Sequence, residues 1–409
     1  MAELLKVLSS IDLFFIGLCD IIGSGIFFIF IYILFIGKKW SIYAIILIGI
    51  SSIISGLCYS EIVSIFKNNS SEFNLIASIL GYNYSTFFSF LIILFQLFTI
   101  ASIMIALCKY IFDDNNSSIY FGFFITTLTF VLLFLGIQLS ANIISSIGVI
   151  IILLCITIII SGFVKIDFNE KSKRLLINQT ATPFNFIVCC AFSVFLFSGY
   201  DSIIKVYEEV HPDDIKYIPV VIISSIVVSF IIYLLLTIIM LYTFDNSIKN
   251  ENAPISILFR NLLNEKAFMI SYVIGAIIIF GTFYGTSLIS SRFIYGLAKN
   301  KILPQVLLQL SRYKTPYIIL LLQFIVVITI VLFHNVIFSV DIANIFVFII
   351  LIHINIGIVI YRYNNGVKEG EFRMPFYYRD VPILPIFNSI LIIVLLIVSV
   401  YILPDIIYS

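Results

Sequence analysis

Two short polar stretches interrupt otherwise apolar runs, and their residue types could hold a small charged molecule away from water. The first is Gly17-Leu-Cys-Asp-Ile-Ile-Gly-Ser-Gly-Ile-Phe27, which sets three glycines, a serine and an aspartate among isoleucine and phenylalanine. Gly23-Ser24-Gly25 weakens a helix and bares backbone groups. At membrane depth such a break is tolerated only where protein or a water-lined cavity receives it. Asp20 sharpens the point, because a carboxylate within an apolar segment is costly and by default functional. The second stretch, Phe195-Leu-Phe-Ser-Gly-Tyr-Asp201, interrupts the sixth apolar segment in the same way. Glycine-interrupted segments at corresponding places in two halves point to a substrate site near the bilayer midplane. Close helix packing through small residues is the alternative.

The elements that must position these stretches are transmembrane helices. Of 409 residues, 61% are hydrophobic and 11% charged, far from soluble composition. Eleven apolar segments, each near or above the ~20 residues that cross the hydrocarbon core, cover 11–36, 41–66, 86–111, 119–137, 141–164, 184–207, 217–243, 267–297, 316–333, 337–361 and 382–403. The expected fold is an all-α polytopic membrane protein. Its first five-segment repeat covers 1–164, and an extramembrane loop covers 165–183. The second repeat covers 184–361, with a cytosolic loop and last segment over 362–409. A net charge of +1 without a basic tail gives nucleic acid no foothold. The six cysteines all lie in apolar runs with no metal-ligand spacing, and the three histidines have no nucleophile in a recognisable arrangement. Neither a metal, a cofactor nor enzyme chemistry is expected, and no filter-like loop suggests a channel.

Lysine and arginine are slightly more numerous in the loops on the N-terminal side, the excess coming from the second half, which places the N-terminus in the cytosol. On the other side, Pro254-Ile-Ser-Ile-Leu-Phe-Arg-Asn-Leu-Leu263 has apolar residues at helical spacing. It reads as an amphipathic loop helix, lying along the surface or acting as an outer lid.

Several stretches together resemble the amino acid–polyamine–organocation superfamily, particularly its L-type amino-acid transporter branch. Ile22-Gly-Ser-Gly-Ile-Phe27 resembles the family's first-helix break, and Leu57-Cys-Tyr-Ser-Glu61 its second-helix signature. Gly136-Ile-Gln-Leu-Ser-Ala141 resembles the lead-in to helix five. Phe197-Ser-Gly-Tyr-Asp201 with Glu208-Glu209-Val210 and Pro212 resembles the sixth helix and its exit. Phe280-Gly-Thr-Phe-Tyr-Gly285, Ser290-Ser-Arg-Phe-Ile-Tyr295, Leu303-Pro304 and Thr315-Pro316 continue the order. The resemblance implies a LeuT-like 5+5 inverted repeat with broken helices 1 and 6, working by alternating access. Departures accompany it. Relatives usually have twelve spans, and a helix-five lysine that can stand in for sodium is replaced near Ile151. Prolines are missing near Phe30 and Ile100-Ala101, and paired glycines are replaced around Ser70-Ser71. The loop 112–118 has no cysteine, so no disulfide-linked heavy chain is expected.

On this footing the substrate is an amino acid, whose zwitterion needs opposite charges met inside the membrane. Backbone N–H groups at Ser24 and Gly25 and the Ser24 hydroxyl suit its carboxylate at the start of a half-helix. Carbonyls of Ile21, Ile22, Phe197 and Ser198 suit its ammonium, while Gly23, Gly25 and Gly199 allow close approach. The resemblance makes Phe195 a lid and points Thr282 and Thr286, spaced i, i+4, at the substrate. Asp20 fits two roles, proton coupling or selection of a cationic side chain; the bland alternative is an ion pair with Lys109 or Lys205. Glu208 and Glu209 end segment six, where the helix dipole disfavours anions, so Arg292 is expected to hold them as an inner gate. The expected function is amino-acid transport by exchange or proton symport. A polyamine or organic-cation carrier, and a non-transporting nutrient receptor of the same fold, are the alternatives.

Overall fold

The apolar segments fold as helices, and the two glycine-rich stretches fold as breaks. The computed structural model describes residues 4–112, 115–165, 181–243, 253–332, 336–368 and 370–408. Most of the 165–183 loop and part of 112–118 lie outside these residues. α1 (Ser10–Ile22) begins at a capping box in which Ser9 and Asp12 satisfy each other's backbone N–H groups. It stops at Gly23. A four-residue 3₁₀ turn, Ser24–Phe27, leads to α2 (Ile29–Gly37). α3 (Trp40–Phe66), a short α4 (Ser71–Leu80), α5 (Tyr82–Ile111), α6 (Asn115–Phe134) and α7 (Ile137–Lys165) complete the first half.

The second half opens with α8 (Pro183–Phe197), which breaks at Ser198 and resumes as the one-turn α9 (Ser202–Lys205). α10 (Ile218–Thr243), α11 (Pro254–Leu262), α12 (Glu265–Lys299), α13 (Tyr317–Val331) and α14 (Val336–Asn365) follow. A two-stranded hairpin, β1 (Tyr377–Tyr378) with β2 (Val381–Pro382), precedes α15 (Leu384–Tyr408). Ten helices among the described residues are long and apolar enough to cross a membrane; α13, at 15 residues, is a shorter apolar helix at the ninth expected segment. The protein is thus an all-α polytopic membrane protein. α11 buries Ile255, Leu258, Phe259 and Leu262 and packs on α12 and α7, so the amphipathic stretch is a docked helix.

α1 packs along α10 and α7, and α8 packs along α3 and α14. α5 runs beside α12 and α14, and α6 beside α13. Small residues allow these approaches: a Cβ on Gly49 would lie 2.3 Å from the Phe230 ring, and one on Gly148 would lie 2.4 Å from that of Phe15. Hydroxyls inside helices mostly donate to carbonyls one turn back, as Ser60 does to Gly56 at 2.8 Å and Ser89 to Ser85 at 2.9 Å. That local bonding lets polar side chains sit in an apolar bundle.

The end that carries the N-terminus is held by buried ions. Glu61 on α3 and Arg362 on α14 are both fully buried, joined by a 2.9 Å hydrogen bond from Arg362 Nε. Glu61 also accepts from the Met374 N–H at 2.7 Å and the Tyr377 hydroxyl at 2.6 Å. Arg362 reaches Glu371 at 2.5 Å and the carbonyls of Gly366 and Phe372. The signature glutamate therefore ties α3, α14 and the segment before α15 into one network. Removing one member leaves a buried charge uncompensated, costing about 3–5 kcal/mol. Arg362→Met is expected to lower stability by about that amount, read by thermal unfolding of the purified full chain.

Candidate functional site

The two breaks meet. Gly199 has φ +124°, and a Cβ there would lie 2.8 Å from the Asp20 carbonyl carbon and 2.9 Å from the Ile21 nitrogen. Only glycine adopts that conformation readily and admits that approach. Gly23 closes α1 by donating its N–H to the Cys19 carbonyl at 3.1 Å. It abuts Thr282, whose Oγ1 would sit 2.0 Å from an added Cβ. Gly25 is less confined, with the Leu196 side chain at 3.0 Å and the Tyr233 hydroxyl at 3.3 Å from that position.

A pocket lies between the breaks, lined by Asp20, Ile21, Ser24 and Gly25 from the first and by Phe195, Ser198, Gly199 and Asp201 from the second. α12 adds Thr286 and Ile289, and α5 adds Phe95, Gln96, Thr99 and Ile103. The structure thus brings most of the sequence-derived candidates to one cavity. Ile22, Gly23, Phe197 and Thr282 are not among its lining residues. Phe197 is fully buried with its ring 5.3 Å from that of Tyr233, and Thr282 bonds back to Ile278 while packing on Gly23. These four shape the breaks from behind.

Asp20 is held by hydroxyls. Thr286 Oγ1 donates to it at 2.7 Å and Ser202 Oγ donates to its other oxygen. No ion pair joins it to Lys109, which is exposed on α5, or to Lys205. Lys205 instead bonds Asp201 and stands 3.9 Å from Glu72. Asp201 thus anchors a buried lysine. Tyr233 reaches into the first break and donates to the carbonyls of Ile21 at 2.9 Å and Ile22 at 3.4 Å. Both carbonyls are thereby engaged inside the protein, Ile21's the more closely, and of the two residues only Ile21 also borders the pocket. Ser198 Oγ donates to the Phe195 carbonyl at 2.7 Å, capping the end of α8.

Below the breaks, Arg292 takes one glutamate of the expected pair. Its Nε and Nη2 donate to the two Glu209 oxygens at 3.1 and 3.2 Å, with both side chains fully buried. Glu208 pairs with Lys299 at 2.7 Å nearer the surface. The chain's first described residues lie across this point: the N–H groups of Val7 and Leu8 donate to the Glu209 carbonyl, and His211 donates to that of Leu8.

Sequence reasoning overlooked Tyr233, Gln96, Thr99, Ser202 and Lys299. Gln96 and Thr99 form a polar pair three residues apart in segment three, a helical-face signal that was available. Nothing in the sequence around Tyr233 marks it out. Among the described residues no group of three or more histidines, cysteines or carboxylates is placed to hold a metal ion, and all six cysteines are buried and unbridged.

Compared with known protein families, the chain matches the amino acid permease model over residues 8–406. The chain belongs to the amino acid permease family. No curated protein sequence matches it. The permease is therefore an integral multi-pass membrane transporter of a family that takes small-molecule substrates.

The two glutamates differ in environment, and the difference is measurable. Glu209→Gln leaves Arg292 without its buried counter-charge and is expected to cost about 3–5 kcal/mol. Glu208→Gln loses only a partly exposed pair, worth about 0–1 kcal/mol. Thermal unfolding of the two purified variants checks the ordering.

Proposed function

We propose that this permease is a secondary-active amino-acid transporter that binds its substrate between the two breaks and works by alternating access. The observation that carries the reading is the pocket lined by Ser24, Gly25 and Asp20 on one side and by Ser198, Gly199 and Phe195 on the other. The start of the Ser24–Phe27 turn offers N–H groups and the Ser24 hydroxyl to a carboxylate. Asp20, with its hydroxyl donors on Thr286 and Ser202, faces the ammonium, joined by the Ile21 and Ser198 carbonyls. Phe195 covers the side chain. Thr282, Gly23, Ile22 and Phe197 hold the shape from behind.

Two five-segment halves related by inversion suit the packing. Exchanging segments one and two for six and seven turns the contact of α1 with α10 into that of α8 with α3, and both are present. The motif Leu57–Glu61 and the exit motif at Glu208–Val210 favour the L-type branch. On this reading the Glu209–Arg292 pair, reinforced by Glu208–Lys299 and by the strap at Leu8, is the inner gate, closed here. The loop charges place the N-terminus and this gate in the cytosol. The carboxylate of Asp20 that lines the pocket also favours a second reading, a carrier for polyamines or other organic cations.

Counterflow in proteoliposomes separates these readings. Vesicles preloaded with an amino-acid mixture are expected to take up labelled single amino acids, and Gly25→Leu, which drives a side chain toward Leu196 and Tyr233, is expected to abolish entry. Polyamine entry alone would favour the second reading. Binding without flux would overturn transport and leave a receptor.

A further inference from the structure

A second, smaller cavity adjoins the substrate pocket and shares Phe95, Ser198 and Asp201 with it. It contains an unbalanced group of charges. Glu72, Lys205 and Asp201 all line it, two carboxylates against one ammonium, and Glu72 and Lys205 are buried. Lys205 is committed to Asp201 by a hydrogen bond and stands 3.9 Å from Glu72 Oε2. Glu72 Oε1 accepts from the Tyr59 hydroxyl at 2.9 Å, but the buried Oε2 has no hydrogen-bond partner.

No other charge faces Glu72 in that cavity. α3 supplies Tyr59, and the second break with α9 supplies Ser198, Tyr200, Asp201 and Lys205. α5 and α14 close the space with Ile92, Phe95, Val347, Ile350 and Leu351, all apolar. α12 contributes the Phe293 ring, 5.5 Å from the Lys205 ammonium. Two ionised carboxylates sharing one cation in a low-dielectric site are unfavourable, and the one farther from the cation is neutralised first. That one is Glu72.

We propose that Glu72 binds the coupling proton of this transporter, at Oε2, and that the proton loosens α9 from α4. The proposal rests on the transport reading above. Ionised, Glu72 attracts Lys205 across 3.9 Å and so holds α9, the half-helix after the second break, against α4. Protonated, it keeps its bond from Tyr59 and loses that attraction, leaving Lys205 to Asp201 alone. The change is delivered to the inner gate by a short route. Asn69, in the turn before α4, accepts from the Glu208 N–H at 2.8 Å, and Ser70 accepts from Asn300 at 2.9 Å, just beyond α12. Burial pushes the Glu72 carboxyl up to about 7, so its proton exchanges in the physiological range.

The test uses the full chain in two preparations. In proteoliposomes an inward proton gradient is expected to drive accumulation of a labelled amino-acid mixture by the wild type. Glu72→Gln is expected to lose that accumulation while counterflow stays within about twofold, and Glu72→Asp to keep part of the gradient response. Accumulation by Glu72→Gln equal to wild type, or wild-type exchange indifferent to the gradient, would overturn the proposal. In detergent a second measurement does not depend on flux. A carboxyl whose folded pKa lies above its ordinary value favours the protonated folded state, so stability is lost as pH rises. The wild type is expected to lose thermal stability between pH 4.5 and about 7 relative to Glu72→Gln, and the same difference is expected between Asp20→Asn and the Asp20→Asn/Glu72→Gln double variant. A flat difference between wild type and Glu72→Gln would remove Glu72 as the proton site even if neither protein transported anything. Absence of counterflow in the wild type would reject the transport reading instead.

Discussion

The contact of Gly199 with the Asp20–Ile21 peptide fixes the geometry on which everything else depends. Two helices that cross a bilayer normally keep their backbone groups to themselves, and here each gives up a turn of bonding at the same depth. The positive φ of Gly199 and its approach to within 2.8 Å of the Asp20 backbone, measured from an added Cβ, bring those turns against each other. Once they touch, the freed groups face one cavity. Tyr233 takes up part of the first break, and Thr286 and Ser202 satisfy the one carboxylate that the cavity contains from that side.

Buried ion pairs then tie helices together at one end of the bundle. Glu209–Arg292 and Glu61–Arg362 are both buried at the end that carries the N-terminus, and they join different helices. The first ties the exit of the sixth segment to α12, and the second ties α3 to α14 and the segment before α15. A buried pair of this kind contributes little net stability over an apolar contact but is costly to leave half-made. The Glu72–Lys205–Asp201 group differs because its charges do not balance, which gives it a reason to exchange a proton.

Much of this was legible in the chain. Segment positions follow from hydrophobic length alone, and all eleven fall on helices. The breaks were marked by Gly23-Ser24-Gly25 and Ser198-Gly199, because clustered glycine and serine weaken a helix where isolated glycines such as Gly49 and Gly148 only allow close packing. Asp20 stood out by its cost. Its partners did not, since threonine at 286 and serine at 202 are ordinary helix residues whose bonding depends on which face α12 and α9 turn inward. The same limit applied to the glutamates: adjacent residues on a turn point in different directions, so Glu208 and Glu209 could only be given Arg292 jointly. Tyr233 was hidden entirely, as one aromatic among many on α10. Lys205 could be read as a membrane-depth cation, but its link to Glu72 joins α9 to a short helix in the other half, a contact no local pattern encodes.

On the proposed function, one amino-acid molecule occupies the space between the breaks. Thr99 on α5 lines that space and bonds only its own helix, at 2.8 Å to the Phe95 carbonyl, and the six native cysteines are buried. Alkylation of a Thr99→Cys variant in proteoliposomes, timed with and without an amino-acid mixture, therefore probes occupancy directly. A rate at least severalfold slower in the presence of the mixture is the predicted result. Equal rates, in a preparation that binds the same mixture, would place the substrate elsewhere and contradict the account.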